Sequence, residues 1–194
     1  MNYHAAKAFI LHKLETELSD QLTYHGLHHT LDVLASTEEL CYYEKVSPYD
    51  QILIKTAALY HDSGFTIGNE DHERLGCLIA KKSLPNLGYT PGEVESICGM
   101  IMATKVPQNP QTKLEAILCD ADLDYLGRED FYEIGNTLFN ELKTYKVLDN
   151  EKDWNKLQIN FLKQHQFFTS TNKKRRNPLK MKHLNDLISA TQEG

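Results

Sequence analysis

Apolar residues recur at helical spacing in nearly every segment of this chain. Steps of three and four residues place side chains on one face of an α-helix, and no segment shows the strict alternation that predicts a half-buried strand. The first two such faces contain Phe9, Ile10, Leu14 and Leu18, then Leu27, Leu31 and Leu34. The pattern therefore predicts an all-α protein.

Start and stop signals divide this pattern into about eight helices. Thr90 and Thr112 are each followed three residues later by Glu, which is the capping box of a helix N-terminus, and Asn150 begins a weaker version. Proline and glycine predict the breaks between helices. These breaks lie at residues 47–48, 64–68, 85–92 and 107–110, and near Gly127.

Length and charge limit the protein classes to consider. A chain of 194 residues is long enough for one sizeable core, so residues 1–194 are expected to form a single domain. The net charge of −6 argues against binding to a nucleic acid polymer, which normally requires a positive face. Small molecules are the expected partners, and the oligomeric state is left open.

Location is inferred by elimination. The N-terminal segment lacks the charged-then-apolar pattern of a secretory signal, and no stretch approaches the roughly 18 apolar residues of a membrane span. The four cysteines lie far apart without a CxxC pair, which favours reduced core residues over disulfides or a zinc site. We therefore expect a cytoplasmic protein that does not interact with membranes.

Histidines are concentrated in residues 24–33, YHGLHHTLDV. His25 and His29 are four residues apart and share one face of a helix, whereas His28 is rotated by about 100° from His29. Each histidine alone is more often exposed or hydrogen-bonded than a ligand, so this pair becomes informative only with partners elsewhere.

A second polar group ends an apolar helix at His61-Asp62, just before Gly64. Burying an imidazole and a carboxylate costs free energy unless both are satisfied, and a divalent cation would satisfy both. The alternative is a histidine favoured by the helix dipole, with Asp62 capping the following turn.

A third group consists of Asp120, Asp122 and Asp124 on a largely apolar segment. Three carboxylates this close repel one another unless they reach solvent or share a positive charge. Asp120 and Asp124 lie on one helical face and Asp122 on another, so they cannot all be equivalent ligands of one ion.

The order His29, His61-Asp62, Asp122 resembles the HD superfamily of metal-dependent phosphohydrolases over about residues 22–128. The resemblance implies a phosphodiesterase-like helical bundle, with the helices of residues 129–194 packed on it, in which these four residues surround one divalent ion. Asp122 occupies the Ala-Asp position of the last motif. Asp120 is the alternative ligand, or a partner that orients a histidine. By similarity to cyclic-nucleotide phosphodiesterases, His25 is the proton donor.

The sequence departs from the two-metal members of this superfamily. His72 could supply one additional ligand, but the later helix reads Met100-Ile101-Met102-Ala103-Thr104-Lys105 and lacks the histidine pair of those members. We therefore expect one ion. His72 then becomes a candidate substrate contact, with a helix-start charge pair or plain surface as alternatives.

Imidazole and carboxylate ligands favour Mn, Fe, Co or Ni, with Mg or Zn possible. The expected reaction is attack of metal-bound water on a phosphomonoester or phosphodiester, with His25 protonating the leaving oxygen. Lys105 is the first candidate for binding phosphate charge, although it is more often a surface lysine. Arg175 and Arg176 follow, in the cationic run of residues 173–182, for which a solvated loop leading to a helix at Pro178 is the plainer interpretation.

A nucleotide is the expected substrate because Tyr24, Tyr60 and Phe65 flank the ligands and could stack on a base, although aromatic residues in such places usually pack. The alternatives are a non-catalytic regulatory module that retains the metal or nucleotide pocket and a helical scaffold without an ion, because fold resemblance does not establish catalysis.

Overall fold

Ten α-helices and no strand are present in residues 1–192, the part of the chain that the computed structural model describes. Helices α1 to α5 span Tyr3–Glu17, Leu27–Tyr43, Pro48–Tyr60, His72–Ser83 and Pro91–Ala103. Helices α6 to α10 span Lys113–Asp122, Phe131–Thr144, Glu151–Gln164, Ser170–Arg175 and Asn177–Gln192. Short 3-10 helices lie at Ser63–Thr66, Leu84–Leu87 and Asp124–Gly127. The predicted all-α fold is confirmed, with ten helices rather than about eight.

The predicted helix starts are confirmed. Thr90 and Thr112 each form a complete capping box with the glutamate three residues on. The side chain of Asn150 accepts a hydrogen bond from the backbone N–H of Asp153. These caps satisfy backbone donors that have no partner within the helix, and so fix where α5, α6 and α8 begin.

The larger hydrophobic core is built from α1 to α6. Helix α3 lies at its centre, with α2 and α5 packed against it and α6 packed against α2. Its buried side chains include Ile54, Leu59, Ile97, Ile117 and Leu118. The four cysteines are buried and free, in agreement with their prediction as core residues. Because the last five residues of α3, from Thr56 to Tyr60, are all buried, the residues that follow them are held in the interior.

A second, smaller core joins the end of α6 to the C-terminal helices. Its members are Tyr24, Leu123, Tyr125, Leu126, Phe131, Leu162, Phe167, Leu184 and Leu187. Ala121 belongs to the first core and Leu123 to the second. Asp122 therefore lies where the two cores meet, and this junction positions the candidate site.

The cationic run of residues 173–182 is not a loop, which corrects the plainer interpretation of it. Helix α9 ends at Arg175, and only Arg176 separates it from α10. Arg175 and Arg176 pair with Glu39, and Arg176 Nε also donates to the buried Asp124. These carboxylates offset the repulsion between the cations, so the segment can remain helical.

The membrane prediction has one structural test. None of the helices described combines the length with the hydropathy that a transmembrane span requires.

Candidate metal centre and adjoining cavity

His61 is fixed at the end of α3. It is fully buried, and its Nδ1 lies 2.8 Å from the carbonyl oxygen of Ala58, to which Nδ1–H donates a hydrogen bond. This bond assigns the tautomer, so Nε2 carries the lone pair and faces the interior of the site. A backbone carbonyl that orients an imidazole in this way is the usual support of a metal-binding histidine.

Three further side chains converge on His61 Nε2. His29 Nε2, from α2, lies 3.4 Å away, and Asp122 Oδ1, at the end of α6, lies 3.5 Å away. His29 Nε2 is 3.2 Å from Asp122 Oδ1. Asp62 Oδ2 is 3.1 Å from His61 Nε2 and 3.4 Å from His29 Nε2. Ligand atoms bound at about 2.1 Å to one ion stand roughly 3.0–3.5 Å apart, so the spacing suits a shared cation.

Asp62 supplies a specific test of whether a cation fits. Its Oδ2 is buried and has no hydrogen-bond partner among the described residues. A buried carboxylate oxygen left without a donor costs free energy, and a cation would remove that cost. The ligand atoms of His29, His61 and Asp122 all lie within 4.8 Å of one another and can hold a metal ion. The donor set therefore fits a divalent ion, with Asp62 as the proposed fourth ligand.

The protonation of this cluster follows from its burial and charges. Burial alone would lower the pKa of His61, but the carboxylates of Asp62 and Asp122 raise it well above its ordinary value. Burial opposes ionisation of Asp122, yet hydrogen bonds from His29 and His61 lower its pKa to about 2. Without a cation, a proton on His61 offsets part of the negative charge of the carboxylates. An ion must displace this proton in order to bind.

The three aspartates at the end of α6 and just beyond it have different partners, as their helical spacing predicted. Asp122 faces the histidines, whereas Asp124 accepts hydrogen bonds from Asn172 Nδ2 at 3.0 Å and Arg176 Nε at 2.8 Å. Asp120 accepts hydrogen bonds from the backbone N–H groups of Phe168 and Thr169 at 2.7 and 2.9 Å.

Asp120 was predicted as an alternative ligand or a catalytic partner, and its position in the structure corrects that prediction. Besides the two backbone groups, it accepts a hydrogen bond from Thr169 Oγ1 at 2.6 Å, and none of the hydrogen bonds recorded for residues 1–192 joins it to a histidine. Burial raises the pKa of Asp120 to about 6, against the lowering effect of these hydrogen bonds. Asp120 anchors the segment between α8 and α9 instead of contacting the metal cluster.

His25 is held by a residue that sequence reasoning missed. Glu141, on α7, is buried and pairs through Oε1 with His25 Nδ1. Its Oε2 accepts the backbone N–H groups of Tyr24 and His25 at 2.7 and 3.0 Å. Burial opposes the charge on His25, but the hydrogen bond that it donates to Glu141 and the nearby carboxylates raise its pKa above 6.5. One signal for Glu141 was present: it continues the apolar face formed by Ile134 and Leu138 at helical spacing.

His72 lies beside the cluster at the start of α4. Its Nε2 is 3.4 Å from Asp62 Oδ1 and 3.5 Å from Glu73 Oε1. Its ring stacks on Phe65 with centroids 4.2 Å apart, and Phe65 also stacks on His25 at 4.4 Å. His72 therefore contacts the carboxylate oxygen of Asp62 that points away from His29 and His61. Its role as a substrate contact stays a prediction.

A cavity of about 420 Å³ opens onto this cluster. His25, Asp62, His72 and Asp122 line one side of it, together with Lys105. The Nζ of Lys105 pairs with Asp71, which also lines the cavity. The residues of α7, α8 and the preceding 3-10 helix form the other side.

Several predicted substrate contacts lie outside the cavity wall. Arg175 and Arg176 are held by Glu39 and Asp124, as described above, and do not line it.

Of the three aromatic residues considered for base stacking, only Tyr24 lines the cavity, and its ring packs on His29 with centroids 4.7 Å apart. Tyr60 is fully buried with its hydroxyl 3.2 Å from Ser83 Oγ, and Phe65 is stacked between histidines.

Comparison with known proteins yields one match. The family described as HD domain matches residues 26–124, which is just over half of the chain and contains His29, His61, Asp62 and Asp122. No curated protein and no solved structure matches the chain. The matched segment ends before Glu141 and before helices α7 and α8, which complete the cavity.

Proposed function

Because the chain belongs to the HD-domain family, whose members are generally metal-dependent hydrolases, we propose that it hydrolyses a small phosphate ester with the aid of a divalent ion. One observation carries this proposal: two imidazole nitrogens and two carboxylate oxygens converge at the wall of a cavity, and one of those oxygens, Asp62 Oδ2, is buried without a hydrogen-bond partner.

His29, His61, Asp62 and Asp122 would hold the ion, with Mn, Fe, Co or Ni favoured and Mg or Zn possible. Such an ion, when bound, polarises a phosphoryl oxygen and lowers the pKa of water. The burial of His29 and His61 keeps competing solvent from their ring nitrogens. The Ala58 carbonyl holds His61 in the tautomer that binds metal.

His25 is the proposed general acid. Glu141 occupies its Nδ1, so Nε2 is the ring nitrogen that can give a proton to the leaving oxygen. The raised pKa keeps the imidazolium form populated at a higher pH than in a free histidine. Glu141 acts as a positioning residue, because it fixes both the ring and the backbone N–H of His25.

Lys105 is the proposed phosphate contact. It is the one lysine or arginine among the described residues that line the cavity. Both side chains of its ion pair with Asp71 are exposed to solvent. Exposed ion pairs contribute little to stability because solvent screens them, so Lys105 can exchange Asp71 for a phosphoryl oxygen. Arg176 would have to leave the buried Asp124 to do the same, which is a much larger cost.

The proposal is tested by metal analysis of untagged protein, followed by measurement of phosphate release from nucleotides, sugar phosphates and aryl phosphates with Mn²⁺. His61→Ala is expected to lose bound metal and turnover while retaining its helical circular dichroism. His28→Ala is the control, since His28 precedes the proposed ligand His29 on α2 but is only partly buried. Unchanged turnover in His61→Ala would refute the proposed centre. Stoichiometric metal with nucleotide binding and no turnover would identify a regulatory module instead.

A further inference from the structure

The cavity next to the metal centre has two sides of different chemistry. We propose, on the basis of the phosphohydrolase function proposed above, that the substrate is a phosphomonoester of an apolar alcohol, aryl or alkyl. Its phosphoryl group would lie at the histidine cluster and its apolar group against α7, α8 and the 3-10 helix before them.

The wall contributed by residues after Asp122 is almost entirely apolar. Its members include Leu126, Phe131, Leu138, Trp154, Leu157 and Leu162. Tyr125 and Gln158 are the polar side chains among the described residues on this side, and no charged group accompanies them. A nucleobase or a sugar buried here would leave most of its polar atoms without hydrogen bonds, which costs free energy. An aryl or alkyl group would gain free energy from the same surroundings.

This apolar side is accessible. Leu157, on α8, is 44% exposed, whereas Leu126 and Leu162 are 2% and 1% exposed. The wall thus runs from the protein surface at Leu157 into the second hydrophobic core. An apolar group can enter from solvent without displacing a helix.

Charge on the polar side limits the number of phosphates. Four carboxylates line it, those of Asp62, Asp71, Glu73 and Asp122, and Lys105 is the accompanying lysine. One divalent ion, Lys105 and the proposed imidazolium of His25 supply four positive charges, which only equal the charge of these four carboxylates. A phosphomonoester adds about −1.5 to −2, whereas a triphosphate adds considerably more and would be repelled. The charge balance therefore favours a single phosphoryl group.

The reaction consumes water and one ester. A bond forms between a water oxygen and phosphorus, the bond between phosphorus and the alcohol oxygen breaks, and that oxygen takes a proton from His25. The products are inorganic phosphate and the apolar alcohol. The proton lost by the attacking water passes to solvent and later restores His25.

The single tryptophan of the chain provides a fluorescent probe of this site. Trp154 lines the apolar side and is the one tryptophan of the sequence. Its emission can be followed while hexyl phosphate, glycerol phosphate or AMP is added to the protein at saturating Mn²⁺. A saturable change with hexyl phosphate and a much weaker response to the other two compounds is expected.

Turnover is measured on the same three esters. The kcat/KM for hexyl phosphate is expected to exceed those for glycerol phosphate and AMP on the order of 10- to 100-fold, the ratio that burial of one such apolar group provides. Leu157→Gln should reduce kcat/KM for hexyl phosphate by a larger factor than that for glycerol phosphate. Leu31→Gln is the matched control, because Leu31 is 41% exposed on α2 and lies outside the cavity.

The outcomes separate the two proposals. Turnover that is equal for AMP and hexyl phosphate, or an equal effect of Leu157→Gln on all three esters, overturns the apolar assignment and leaves the phosphohydrolase function standing. A saturable Trp154 response to hexyl phosphate without hydrolysis of any ester supports the apolar site and overturns the phosphohydrolase function.

Discussion

Replacing Glu141 by Gln provides a quantitative test of how His25 is held. Glu141 accepts two backbone N–H groups and pairs with His25 Nδ1, all in a buried setting. Gln retains one acceptor oxygen but loses the charge. Hydrogen bonds to charged groups contribute about 1.5–3 kcal/mol and neutral ones about 0.5–1.5 kcal/mol. We therefore expect Glu141→Gln to lower the free energy of unfolding by roughly 2 kcal/mol near pH 5.5.

The pH dependence of that loss has a definite sign. The pKa of His25 is raised in the folded protein, so its contribution is complete below 6.5 and is lost as the pH rises through the folded value. The pKa of Glu141 is lowered, so its contribution is complete above 4.5 and is lost as the pH falls through the folded value. Between pH 4.5 and 6.5 both contributions are present. By pH 9 the difference between wild type and variant should shrink to about 1 kcal/mol or less.

Urea unfolding of metal-free protein, followed by circular dichroism at pH 5.5 and pH 9, measures both values. Titration of the His25 ring by NMR should show a lower pKa in the variant, because the carboxylate of Glu141 that raises it is no longer present. Glu133→Gln is the control, because Glu133 is exposed on the same helix. An equal loss of stability at both pH values would show that the ion pair is not the source of the effect.

Three further predictions concern the metal cluster and its supports. Asp122→Ala should abolish metal binding, whereas Asp120→Ala should leave metal stoichiometry intact and lower stability by about 2–4 kcal/mol, because three donors lose their acceptor. Elemental analysis and urea unfolding distinguish the two variants, and loss of metal in Asp120→Ala would contradict the assigned positions. Metal affinity should fall as the pH drops, since the raised pKa of His61 makes protons better competitors. Isothermal titration calorimetry in buffers of different ionisation enthalpy measures the protons released on metal binding, and no proton release would refute competition between proton and metal. Gly64→Ala should lower stability by about 3 kcal/mol and impair turnover, because a Cβ there would lie 1.9 Å from the carbonyl oxygen of His72. Thermal unfolding tests this prediction, and Gly92→Ala is the control because a Cβ at Gly92 would meet open space.

The sequence predicted that His29, His61 and Asp122 converge, as they do in the structure, because each lies in a motif that is recognisable locally. His61 and Asp62 are adjacent, and the rotation between Asp120 and Asp122 on one helix was enough to predict that they face different partners. The family resemblance then supplied the order of the motifs, which no single spacing could provide.

What the sequence left open depends on long-range contacts. Glu141 reaches His25 across 116 residues, and Arg176 reaches Asp124 across 52. Such pairs have no local signature, so Arg175 and Arg176 suggested a phosphate contact although they are paired with carboxylates in the folded protein. The apolar side of the cavity forms only when α7 and α8 pack beside the end of α6, and periodicity within each helix could not reveal it.

The alternating orientation of Asp120, Asp122 and Asp124 also has a consequence for dissecting the protein. A fragment cut where the family match ends would keep the proposed ligands but strip two interior carboxylates of their donors from α9 and its preceding segment. It would also lose Glu141 and the apolar side of the cavity. A fragment intended to retain the site should therefore extend through α10, because the last third of the polypeptide supplies partners to residues of the matched segment.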